Sequence, residues 1–247
     1  MTTTSALLTD KSAIIYGAGG TIGRATAQTF AREGATLYLA GRTQARLDET
    51  TAAVSEAGGT AHTAVLDATD DAAVRAHAAD VVADAGRIDV SLNLITRGDV
   101  QAIPLLDMAV DDFMAPMLGV RSNFITACAA GRHMVEAGSG VILFVTSGSG
   151  VVTKPDPSYS MGGTGPADAA TESMLHYLAT QVGPRGVRVN GIWTAGVIYP
   201  DLMAGHSILG VGPTVRQFAD AAAFLSSDRA SGTTNSIFDA SSGVCAP

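Results

Sequence analysis

Near its N-terminus the chain runs from four consecutive apolar side chains straight into a glycine-rich turn and then into a helical pattern. Ala13, Ile14, Ile15 and Tyr16 follow polar Lys11 and Ser12 and are too few for a helix, so they read as a buried strand. Gly17, Gly19 and Gly20 give a loop that accepts unusual backbone angles and lets a bulky anion come close. From Thr21 the apolar residues Ile22, Ala25, Ala27, Phe30 and Ala31 recur at helical spacing until Gly34 ends the run. Strand, glycine turn and helix N-terminus in that order form a pyrophosphate cradle, because free amides and the helix dipole both favour negative charge. A plain tight turn uses the same residues, so the pattern alone leaves both readings open.

The same alternation continues down the chain. Strands are predicted at Thr36–Ala40, Ala61–Leu66, Asp89–Ile95, Val141–Thr146, Val187–Trp193 and Ser236–Asp239. Between them lie helical patterns through Leu47 and Val54, through Val74 and Val82, over Asp111–Ala137, over Thr164–Val182 and over Val215–Leu225. Asp67–Asp70 supply cap residues for the third helix, and Pro116 is tolerable only near the start of the long one or as a kink. Strands apolar on both faces that alternate with helices require a mostly parallel sheet covered on both sides. No linker, charge block or low-complexity run divides residues 1–247, so one doubly wound α/β domain with a seven-stranded sheet is expected. In such sheets ligands bind at the carboxyl ends of the strands. That rim gathers Gly17–Gly23, Arg42, Asp67, Asn93–Arg97, Ser147 and Thr194–Gly196.

Composition removes other classes of function. With 47% apolar and 15% charged residues the chain can bury a deep core. A formal charge of −8 without a basic cluster argues against a nucleic-acid surface. The apolar runs fall far short of the roughly 20 residues of a membrane span. Met1–Asp10 lacks the features of a signal peptide, so a cytoplasmic location is expected. Cys128 and Cys245 sit in no metal-like spacing, and no metal site is expected.

Over nearly its full length the chain resembles the short-chain dehydrogenase/reductase family. Tyr16-Gly17-Ala18-Gly19-Gly20-Thr21-Ile22-Gly23 resembles the family's Thr-Gly-x-x-x-Gly-x-Gly loop, with Tyr16 and Thr21 as departures. Asp67, followed by Ala68, matches the acidic residue that touches adenine in the family. Arg87-Ile88-Asp89, Arg188-Val189-Asn190 and Phe218-Ala219-Asp220 through Asp228, Gly232 and Asp239 follow in the family's order. After strand four only Asn93 remains of the family's Asn-Asn-Ala-Gly, and Thr194-Ala195 stands for its Pro-Gly. The resemblance implies a single Rossmann domain, a dinucleotide held by Gly17, Gly19, Gly20, Thr21, Ile22, Gly23, Asp67, Ala68, Asn93 and Thr194, and a homo-oligomer, dimer or tetramer. An acid at the end of strand two would bind ribose hydroxyls and repel a 2′-phosphate. Gly41-Arg42 stands there instead, and a guanidinium pairs well with phosphate, which favours NADPH over NADH. A solvated loop arginine remains the plainer reading of Arg42.

The family's chemistry rests on a Ser, on a Tyr and a Lys one helical turn apart, and on an Asn of the long helix. Gly140–Ser147 resembles the approach to that Ser, so Ser147 either hydrogen-bonds a substrate or serves as a turn serine. Tyr159 is the nearby tyrosine, but Gly163 stands four residues on. If Thr164 takes the Tyr position, Ala169–Glu172 and Leu178-Ala179 match the family's helix, and Asp168 takes the Lys position. Neither register supplies the lysine. Ionising a free tyrosine at pH 7 costs roughly 4 kcal/mol, which that lysine helps to offset in the family. The Asn position falls on Gly119 or Val120; Asn123, one turn later, is assigned a core or surface role ahead of catalysis. Tyr199, Met203, His206 and Ile208 are the candidate pocket residues of a short lid. Three functions follow: an NADPH-dependent reductase or dehydrogenase of a small carbonyl or alcohol, a dinucleotide-binding protein that has lost catalysis, or a non-redox cyclase or isomerase.

Overall fold

A computed structural model describes residues 6–151 and 160–244. The first strand, β1 (Ser12–Tyr16), is buried along its whole length, and its side chains alternate between two cores. Ala13 and Ile15 pack on one side with Leu37, Leu39, Phe30 and Phe218, whereas Ile14 and Tyr16 pack on the other with Val74, Ile125 and Phe144. The remaining strands are β2 (Thr36–Gly41), β3 (Thr60–Val65), β4 (Val90–Asn93), β5 (Gly140–Thr146), β6 (Val187–Trp193) and β7 (Ile237–Asp239). They form one sheet in the order β3-β2-β1-β4-β5-β6-β7, and every pair is parallel. The order reverses direction between β1 and β4, the switch point where a ligand crevice opens.

Helices cover both faces. On one lie α1 (Thr21–Arg32), α2 (Gln44–Glu56) and α8 (Val215–Ser226), with α1 against α8. On the other lie α3 (Asp71–Ala85), α5 (Met117–Ala137) and α6 (Thr164–Val182), with α5 packed against both of the others. Two short helices complete the set, α4 (Val110–Met114) and α7 (Pro200–Ala204).

The expected seven-stranded doubly wound sheet is present, with every strand pair parallel. Two expectations need correction. The strands are not all apolar on both faces: β3 pairs only with β2, and its Val65 is 56% exposed, as an edge position allows. The helix expected over Asp111–Ala137 is two, because Pro116 occupies the entry to α5, where its missing N–H costs no internal bond. The expected cap is present: Asp70 accepts from the amides of Ala72 at 3.0 Å and Ala73 at 3.1 Å at the start of α3.

Two glycines position the site. Gly17 has φ +77°, and a Cβ there would stand 2.5 Å from the Leu94 carbonyl oxygen. A Cβ on Gly23 would stand 2.5 Å from the carbonyl oxygen of Gly17. The turn after β1 is thereby pressed between the end of β4 and the first turn of α1.

Asp70→Ala is expected to lower unfolding free energy by about 1 kcal/mol, read from urea denaturation midpoints. His77 is buried edge-on to the Tyr16 ring with centroids 5.8 Å apart, and its Nδ1 has no hydrogen-bond partner among the described residues. Burial holds its pKa below the ordinary histidine value, with Asp80 opposing weakly. The unfolded chain therefore binds the proton more readily, and stability falls as pH drops below about 6.5. His77→Phe should flatten that decline between about pH 7 and 5 in pH-dependent denaturation.

Candidate cofactor and active site

The carboxyl ends of the parallel strands open into a cleft of about 360 Å³ along the switch point. Its floor is the glycine turn, and its far wall is Gly41, Arg42, Asp67 and Ala68. The Gly20 amide donates to the Gly17 carbonyl at 3.1 Å, which closes the turn and leaves α1 to begin at Thr21. Thr21 is exposed at that helix start, and Ile22 faces the next cavity. Asp67 takes hydrogen bonds from the Thr69 amide at 2.9 Å and its hydroxyl at 2.7 Å. Those two bonds, with smaller help from Arg42 and Arg121, hold its carboxyl below the usual aspartate range. Arg42 is exposed, and Arg46, in the first turn of α2, lines the same wall. Arg46 was not singled out from the sequence; the signal available was its i,i+4 spacing from Arg42 across the start of α2.

A second cavity continues from the first, the two sharing Leu94 and Ile95. Asn93 crosses its base. Its amide donates to Ser122 Oγ at 2.9 Å and Asn123 Oδ1 at 3.0 Å, and its Oδ1 accepts from the Ile95 amide at 3.2 Å. Asn123 is thus a buried partner that ties α5 to the end of β4, in accord with a core role. Thr194 lines the same cavity, its amide and hydroxyl both donating to the Thr146 carbonyl.

The densest polar cluster of the site centres on Asp168, which has no exposed surface. Its Oδ2 accepts from Ser147 Oγ at 2.5 Å, the Ser147 amide at 2.9 Å, Ser149 Oγ at 2.9 Å and the Ser149 amide at 3.3 Å. Its Oδ1 pairs with Nη1 of Arg97, whose Nη2 reaches Asp99 at 3.1 Å. The loop after β5 comes close enough because Gly150 has no side chain: a Cβ there would lie 2.6 Å from the Ala169 amide. Ser147 is therefore more than a turn serine; it joins β5 to a buried charge on α6. One helical turn farther along, Glu172 accepts from Thr146 Oγ1 and Trp193 Nε1, each at 2.8 Å.

The other expected site residues are placed less favourably. Tyr159 lies outside the described residues. Thr164 is fully buried at the start of α6, its hydroxyl 3.4 Å from Gln101 Nε2. In the lid, His206 and Tyr199 are exposed, and Met203 packs its sulfur toward Gly196.

Comparison with known proteins agrees with this geometry. Residues 17–245 match the family model described as Enoyl-(Acyl carrier protein) reductase. The chain is 33% identical over 208 residues to the short-chain reductase protein NovJ of Streptomyces niveus, covering 81% of this chain and 74% of that protein. It is 30% identical over 246 residues to gluconate 5-dehydrogenase of Gluconobacter oxydans, covering 92% of this chain and 91% of that one. The solved structure of an NAD+-bound xylitol dehydrogenase superposes with a TM-score of 0.86 at 26% identity, over 96% of this chain and 99% of that one. The chain belongs to the short-chain dehydrogenase/reductase family of oxidoreductases, and its sheet is the Rossmann arrangement of that family.

Asp168→Asn should lower unfolding free energy by about 3 kcal/mol, because it leaves the largely buried Arg97 side chain without its main counter-charge. Arg97→Gln in the same chain should recover part of that loss. A double-mutant cycle by denaturant unfolding measures the coupling.

Proposed function

We propose that the chain is an NADPH-dependent oxidoreductase that interconverts a small carbonyl compound and its alcohol, through a catalytic group unlike the family's Tyr/Lys pair. The observation that carries the cofactor choice is the wall at the end of β2. Arg42 and Arg46 flank it, and β2 ends on Gly41 rather than on an acid. Two guanidinium groups there suit a 2′-phosphate better than a bare ribose. The fit to a dinucleotide rests on the turn itself, which keeps its shape because Gly17 and Gly23 carry no Cβ to strike the carbonyl oxygens of Leu94 and Gly17. In this reading Gly17, Gly19, Gly20, Thr21, Ile22 and Gly23 hold the pyrophosphate, Asp67 and Ala68 the adenine, and Asn93 and Thr194 the far end. When bound, the nicotinamide supplies or accepts the hydride.

The chain's own residues then position the substrate. Ser147 donates its proton to Asp168, so a substrate carbonyl competes with that carboxylate for the same hydrogen bond. Thr164 is sealed by burial, which leaves Ser147 as the hydroxyl that serves the substrate, with Tyr159 as a second candidate. The proton comes from water or from His206, which is exposed in the lid. The protein acts as a cytoplasmic homo-oligomer, dimer or tetramer; Leu118 and Phe124 on α5 and Tyr177 on α6 are exposed apolar groups that a partner's helices would cover.

A second reading keeps the dinucleotide and drops the chemistry. It is favoured by Asp168, whose carboxylate stands one turn after Thr164 with its hydrogen bonds already taken up. Calorimetric titration with NADPH and NADH, followed by hydride-transfer assays on a panel of small ketones, separates the two. Arg42→Ala is expected to weaken NADPH about tenfold while changing NADH less than about twofold. Equal binding of the two nucleotides by the parent protein would sink the cofactor preference, and no binding of either would sink the oxidoreductase reading.

A further inference from the structure

The loop after β4 delivers a cation whose whole setting is built for it. Arg97 lays its aliphatic stem across Gly119, where an added Cβ would collide with Cδ and lie 2.7 Å from Cγ. Its head is clamped between Asp168 and Asp99, and its side chain is 16% exposed. Only two of the guanidinium's N–H donors are used on those acids, and among the described residues the rest have no protein acceptor. A guanidinium cannot accept a hydrogen bond and keeps its charge at any working pH. The carboxylates raise its pKa further against the opposing effect of burial. The remaining donors therefore need an acceptor oxygen from a ligand or from water.

The position of Arg97 indicates which ligand. It lines the second cavity with Ile22, Asn93 and Thr194. That cavity begins where the cleft holding Arg42 and Asp67 ends, at Leu94 and Ile95. A dinucleotide with its 2′-phosphate at Arg42 and its pyrophosphate over the glycine turn has one direction left to run. Its second ribose and carboxamide then enter the cavity beside Arg97, presenting acceptor oxygens.

We propose that Arg97 is a cofactor-binding residue that donates hydrogen bonds to the nicotinamide-ribose half of the dinucleotide, with Gly119 and Asp168 as its positioning residues. This rests on the reading of the chain as an NADPH-binding oxidoreductase. The three positions form one unit: Gly119 makes room for the arm, Asp168 fixes the head, and the arm spans from the loop after β4 to α6. The site thus carries a permanent cation on a loop, one that stabilises charge but cannot relay a proton.

The test compares NADPH with adenosine 2′,5′-bisphosphate, which carries the adenosine half and both its phosphates but lacks the nicotinamide ribose. Calorimetry on Arg97→Gln should show NADPH weakened about tenfold or more, with adenosine 2′,5′-bisphosphate within about twofold of the parent protein. Gly119→Ala displaces the arm without altering its charge and should reproduce the same split. A merely structural arginine would weaken both probes together or neither, and either result overturns the proposal. Hydrogen exchange on the unaltered protein provides a reading independent of how the variants fold. NADPH should protect the amides around Arg97 and adenosine 2′,5′-bisphosphate should not; equal protection overturns the proposal. If adenosine 2′,5′-bisphosphate binds and Arg97→Gln leaves NADPH unchanged, the arginine assignment falls while the NADPH reading stands. If the parent protein binds neither probe, both fall.

Discussion

Taking a carboxylate out of water costs several kcal/mol unless charges and donors replace the lost hydration. Asp168, with no exposed surface, meets that requirement from three directions at once. Arg97 comes from the loop after β4, Ser147 and Ser149 come from the loop after β5, and the aspartate itself stands on α6. None of the three segments can move without stranding a charge. The carboxylate therefore fixes Arg97 in the wall of the second cavity, just as the close approach of Gly17 to Leu94 sets the floor of the first. The two constraints meet at the end of β4, which is where the two cavities join.

The architecture was legible because it rests on local patterns that the sequence states directly. Short apolar runs, glycine stops and the Asp70 cap each act over a few residues, and each was found near its expected place. The errors came where tertiary context decides. The β3 run reads like the other strands, yet its place at the sheet edge leaves Val65 in solvent. Pro116 could have bent one helix or separated two, and only the packing of α4 and α5 selects the second.

The candidate site was half legible, for a similar reason. The glycine turn, Arg42, Asp67 and Asn93 are contiguous with strand ends, so the parallel sheet places them on one rim without further information. Arg97, Gly119 and Asp168 lie 22 and 49 residues apart in sequence. Their partnership depends on how α5 and α6 settle against the loops, which no periodicity encodes. Read alone, on the register that gives Thr164 the family's Tyr position, Asp168 takes the position of its Lys. In place, that carboxylate is engaged by Arg97 and by two serines of one loop. The exposed lid residues Tyr199 and His206 carry no comparable pattern.

The division of β1 between two cores has a further consequence. Ala13 and Ile15 face one layer, Ile14 and Tyr16 the other, and Gly17 follows at once. A slip of one residue would send Tyr16 into the space shaped for Ile15 and would also carry the glycine past Leu94. Packing error and loss of the anion cradle are therefore the same event. A chain mispaired at β1 therefore loses its two-sided core and the shape of its glycine turn together.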